Sequence, residues 1–196
     1  MQIKVSPERS FDSKVDIYAV VLSEKGSKNL PSELKKDVQA PLLTLIKDEK
    51  FSAKAGKLIP VRSFGMLPCK WILLVGGGNG SPVALRRAAG EAGHFARKHG
   101  LQNLTISFSD KLKSKDAVKE LRAVVEGLHE GNYQFDKYIA DAKKKHALKS
   151  VKIQGIAAKT KDTRLGEAFG AGQDLARDLV NEPAAAIYPE SMAEIC

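Results

Sequence analysis

Four glycines in five positions, Gly76-Gly-Gly-Asn-Gly80, form the first feature able to do chemistry. A glycine-rich turn between a strand and a helix can present backbone N–H groups to phosphate. The dinucleotide pattern requires G-x-G-x-x-G, and counting from Gly76 the third glycine position holds Ser81. No Gly-Lys-Ser/Thr follows. The plain reading is a tight strand-to-helix turn, and a nucleotide-binding turn is the alternative.

The histidines are His94, His99, His129 and His146, and none forms an H-E-x-x-H pair or a close Cys/His set. His99 continues an apolar helical stripe and reads as a satisfied, half-buried side chain, whereas His94 lies on the polar face beside Glu91 and Lys98. Cys69 could act as a nucleophile only with a positioned base, and otherwise reads as a passive thiol. Asp48-Glu49 and the Glu126/Glu130 pair read as solvated helix faces. From these residues alone, no catalytic, cofactor-binding or metal-binding residue is assigned.

Composition narrows the class. The 196 residues are 43% hydrophobic and 28% charged, as in a globular protein able to bury a core. Two cysteines, Cys69 and Cys196, make no disulfide framework, so a reducing, cytoplasmic location is expected. No run approaches a membrane span and no signal core opens the chain.

The formal charge of +9 is unevenly placed: residues 137–161 hold eight Lys and one Asp, while 162–196 hold two Arg and seven acids. The excess is mostly lysine without interleaved aromatics. It reads as a solvated surface, with a DNA-binding face as the alternative.

The elements that must position these residues alternate. Val15–Leu22 and Trp71–Val75 read as buried strands, Gln2–Val5 as an edge strand, and Lys57–Val61, Asn103–Phe108 and Val151–Ile156 as further strands. Leu34, Val38, Leu42, Leu45 and Ile46 have helical spacing, though Pro41 predicts a kink or a break. Ser81-Pro82 starts a helix with the stripe Leu85, Ala88, Ala89, Ala92, Ala96 and His99, closed by Gly100. Residues 117–128 form another stripe. A last helix carries Leu165, Ala168, Phe169, Gly172, Leu175, Ala176 and Leu179, ending before Pro183. This order predicts an α/β fold with a mixed, mainly parallel sheet sandwiched by helices in three layers.

Three segments then carry a resemblance. Residues 71–78, Trp-Ile-Leu-Leu-Val-Gly-Gly-Gly, lead into Arg86-Arg87-Ala88-Ala89. Residues 126–138 read Glu-Gly-Leu-His-Glu-Gly-Asn-Tyr-Gln-Phe-Asp-Lys-Tyr. Residues 176–183 read Ala-Arg-Asp-Leu-Val-Asn-Glu-Pro and continue to Tyr188-Pro189-Glu190. Together they resemble the N-terminal region of the leucine (cytosol) aminopeptidase family. The family usually has Asn where Ala185 stands and Thr where Tyr188 stands.

The resemblance implies a macro-domain-like fold and a division into a non-catalytic domain, 1–160, and a linker helix with the truncated start of a catalytic domain, 161–196. It implies peptide substrates, two divalent metals (Zn or Mn) and catalysis in a C-terminal domain. The family's metal-ligand stretches, Gly-Lys-Gly…Asp-x-Gly-Gly and Asn-Thr-Asp-Ala-Glu-Gly-Arg, do not occur in this chain. The expected partners are the catalytic domain and further copies in a hexamer, with DNA possible and no membrane. The apolar face of the last helix should pack on the absent domain, so the chain is expected either to self-associate through Leu165, Phe169, Leu175 and Leu179 or to leave that helix disordered.

Overall fold

The computed structural model describes residues 1–109, 116–140 and 147–195. In chain order the strands are β1 (Gln2–Ser6), β2 (Ile17–Leu22), β3 (Leu58–Arg62), β4 (Trp71–Gly76), β5 (Asn103–Phe108) and β6 (Ser150–Gln154). They form one sheet in the order β1-β6-β5-β2-β4-β3. Every pairing is parallel except β3 with β4. Pro60 lies in β3 at the sheet edge, where a missing N–H disturbs least. β2 is central, buried along its whole length, and reads as an unbroken apolar run.

Register explains the two faces. Ile17 lies opposite both Trp71 and Leu104, Leu104 opposite Val151, and Val151 opposite Ile3. That row and its alternates form the larger core, packed under α2 (Pro82–Lys98) and α3 (Ala117–Asn132). The opposite face begins apolar, with Tyr18, Val20, Leu22, Ile72 and Leu74 under Val38, Leu42 and Ile46 of α1 (Lys36–Asp48). Beyond β2 it turns polar. Thr105 and Ser107 lie opposite Lys152 and Gln154. Here the sheet meets the segment before β2: Ser10 N–H donates to Gln154 Oε1, and the Arg9 guanidinium donates to the Phe108 carbonyl.

The predicted elements are present in the predicted order. Pro41 does not split α1, which runs unbroken through it. The ring is exposed, so the Asp37 carbonyl that it deprives of a partner is on the wet side of the helix. The start of α2 is as expected, with Ser81 Oγ accepting from Ala84 N–H. After a 3₁₀ turn at Thr160–Thr163, α4 (Arg164–Asn181) packs against α3, and α5 (Pro189–Ile195) follows. Thus α4 is formed, and the disordered alternative is not what the structure holds.

Candidate functional site

The glycine turn is closed by its own hydrogen bonds. The N–H groups of Gly76, Gly77, Gly78 and Gly80 donate to the carbonyls of Lys57, Leu22, Ala53 and Gly77. Gly78 and Gly80 take positive φ, and a Cβ on Gly76 would lie 2.0 Å from the Lys54 carbonyl oxygen. These glycines serve a tight turn and a close backbone crossing. The amides that would cradle a phosphate already have partners within the fold.

The other candidates are dispersed. His99 is exposed rather than half-buried, because it caps the end of α2, where its ring stacks on Phe95 with centroids 4.2 Å apart. His94 is exposed, and its Nδ1 accepts from Arg97 Nη2 at 2.9 Å. His146 lies outside the described residues. Burial pushes the Cys69 thiol pKa up, which keeps it protonated and poorly nucleophilic. Glu126 departs from the expected solvated face. Its side chain is only 13% exposed, and it pairs with Arg122 at 2.7 Å and Arg86 at 3.5 Å.

Sequence reading missed the seam that holds α4. Glycines and polar groups form it, so no apolar stripe marks it. Gly166 packs on Val125, and Gly170 lies against the His129 ring. His129 Nδ1 pairs with Asp174 Oδ2 at 2.9 Å, and Tyr133 O–H donates to Asp178 Oδ1 at 2.9 Å. The Arg122 guanidinium sits over Phe169, and that of Arg177 over Tyr133. Lys137 Nζ and Tyr138 O–H both donate to Glu182. Those two donors hold the Glu182 carboxyl below its ordinary pKa. A run of Tyr, Lys and Tyr after α3 spaced to reach Asp178 and Glu182 was the available signal, and it falls within two of the resemblance segments.

Because α4 turns its glycines and polar groups inward, its apolar stripe faces out. Leu165, Phe169 and Leu175 are about half exposed, at 53%, 51% and 48%, and Val180 is 84% exposed. Tyr188, Met192 and Ile195 continue the exposed apolar surface into α5. A helix normally buries its apolar side, and within the described fold this stripe is left exposed.

The described residues thus form a three-layer α/β domain with a closed glycine turn, dispersed histidines and a helix whose apolar stripe is exposed. The profile of the cytosol aminopeptidase family, N-terminal domain, matches residues 19–142. The chain belongs to the cytosol aminopeptidase family, as its N-terminal domain. It is 31% identical over its whole length to a probable cytosol aminopeptidase of Sulfurihydrogenibium sp., covering 40% of that protein. It is 27% identical, again over its whole length, to one of Persephonella marina, covering 41%. The chain thus spans about 40% of the length of these relatives.

Among solved structures, a tomato leucine aminopeptidase mutant matches with a TM-score of 0.81 at 22% identity, over 99% of this chain and 41% of that one. The bottromycin maturation enzyme BotP in complex with Mn matches with a TM-score of 0.66 at 22% identity, over 92% and 35%. These two likenesses bear on the fold. No group of three or more His, Cys, Asp or Glu among the described residues is placed to hold a metal ion. No helix among them is long and apolar enough to cross a membrane.

Proposed function

We propose that this chain is the non-catalytic part of a cytoplasmic leucyl aminopeptidase that removes N-terminal residues from peptides. Residues 1–160 are the domain proper, and 161–196 hold the linker helix and the start of the catalytic portion. The observation that carries the reading is the outward apolar stripe of α4, held by a polar seam on its other side. A helix so placed has one face for its own domain and one for a second body. Two divalent metals, in this reading, act in the catalytic portion, and no step through them is assigned to the residues described. Assembly into a hexamer belongs to the same reading.

The test is direct. The 196-residue chain, purified and supplied with Mn²⁺ or Zn²⁺, is expected not to hydrolyse leucyl p-nitroanilide. Metal-dependent turnover by this chain alone would overturn the proposal.

A further inference from the structure

The helices α2, α3 and α4 enclose a groove of about 710 Å³ on the face away from the sheet. Its lining collects four of the eight arginines in the chain, Arg86, Arg87, Arg97 and Arg177, and no lysine among the described residues. The chain's basic excess is otherwise lysine, so this selection is specific to the groove. Guanidinium is the side chain suited to gripping planar or tetrahedral oxyanions bidentately.

The arginines are held in place rather than waving in solvent. Arg97 Nε donates to the Gly131 carbonyl at 3.2 Å, and Arg177 Nη1 to the adjacent Glu130 carbonyl at 3.4 Å. Two cations from two different helices therefore meet at the C-terminal end of α3. Arg177 is also steadied by the Tyr133 ring, 3.9 Å away, and Arg86 by Glu130. Each keeps N–H groups beyond those its anchors use. His94 adds one more: Arg97 can only donate, so His94 Nδ1 accepts and Nε2 carries the proton in the neutral ring. Arg87 lies across Gly56 and has no hydrogen-bond or ion-pair partner among the described residues.

We propose that this groove binds a small phosphate-type dianion beside the end of α3, gripped by Arg97 and Arg177 with His94 as a further donor. Two features favour a small ligand over a polymer. The volume is that of a small-molecule site. Glu91 and Glu130 interrupt the lining, where a nucleic-acid backbone would need an unbroken basic track. The proposal does not depend on the aminopeptidase reading.

The test is calorimetry of the whole chain with inorganic phosphate and with pyrophosphate at low ionic strength. Binding at about millimolar affinity or tighter is expected. Arg97→Gln and Arg177→Gln should each weaken it about tenfold. Lys47→Gln, on α1 across the sheet, should leave it unchanged. Arg177 also caps α3, so each variant's melting temperature is recorded. Arg177→Lys keeps a charge and a donor for the α3 carbonyl but loses the planar fork, and is the deciding variant, with weaker binding expected. Absence of binding, or binding that either Arg97→Gln or Arg177→Gln leaves intact, overturns the proposal. Duplex DNA binding through these arginines without any pyrophosphate binding overturns it as well.

Discussion

The α-carbon of Gly127 on α3 faces the backbone carbonyl of Arg86 on α2, so closely that a Cβ there would lie 2.1 Å from the oxygen. One helical turn on, Gly131 stands in the same relation to Gly90, at 2.0 Å. The two helices touch through backbone, and this contact brings the groove's arginines and the end of α3 together.

Gly127→Ala should therefore be destabilising even though alanine is the better helix former. The methyl group must push α2 off its seat, and overpacking of this kind costs about 3 kcal/mol, offset by about 1 kcal/mol of helix propensity. Gly172→Ala, on the open side of α4 with nothing near its Cβ position, should instead stabilise by about 0.5–1 kcal/mol. Urea unfolding of both variants checks the pair. Equal effects would mean that the α2–α3 contact yields easily.

Asp16 supplies an acid-sensitive lock at the foot of the sheet. Burial raises its pKa, but hydrogen bonds from Lys70, from the Gln102 and Asn103 backbone N–H groups and from the Asn103 side chain outweigh this and hold it below the ordinary value. With the folded pKa depressed, its stabilisation is complete above the unfolded value and is lost as pH falls through the folded one. The loss should thus begin just below about pH 4. Asp16→Ala should cost about 2 kcal/mol at neutral pH by leaving two backbone donors without their acceptor, and less at pH 3. Urea midpoints at both pH values test this.

Tyr133→Phe removes a hydroxyl that donates to Asp178 and accepts from Asn181, while keeping the ring under Arg177. It should loosen the second half of α4 by about 1 kcal/mol. Hydrogen exchange should speed up in residues 173–181 and hardly at all in β2. Uniform acceleration through the sheet would show that α4 opens only when the whole domain unfolds.

Leu175→Glu with Val180→Glu places two charges on the outward stripe. The stability of the chain should change by no more than about 0.5 kcal/mol, since Leu175 is about half exposed and Val180 largely so. Sedimentation should show less self-association than in the unmodified chain. A large loss of stability would mean that the stripe is already buried against this domain.

Elements with a period were legible. The apolar runs at Val15–Leu22 and Trp71–Val75 declared buried strands, seen at Ile17–Leu22 and Trp71–Gly76, and the stripes of α2 and α3 declared their buried sides. Contacts without a period were not. The Gly127–Arg86 approach depends on how two helices cross, and the Tyr133–Asp178 bond joins residues 45 positions apart. Charge pattern misled at Glu126, because a carboxylate paired with Glu130 on one helix face looks solvated until Arg86 and Arg122 are folded over it. His99 misled for the opposite reason: the stripe continues past the point where α2 stops burying it.

The change from apolar to polar across one face of the sheet also determines where α1 can sit. Moved one strand toward β5, its Val38, Leu42 and Ile46 would rest on the hydroxyls of Thr105 and Ser107, which are buried and have no hydrogen-bond partner among the described residues. Moved the other way, they would overhang the sheet edge beyond β3. The sheet acts as a sideways ruler, so the helix is located by where the grease ends as much as by where it lies.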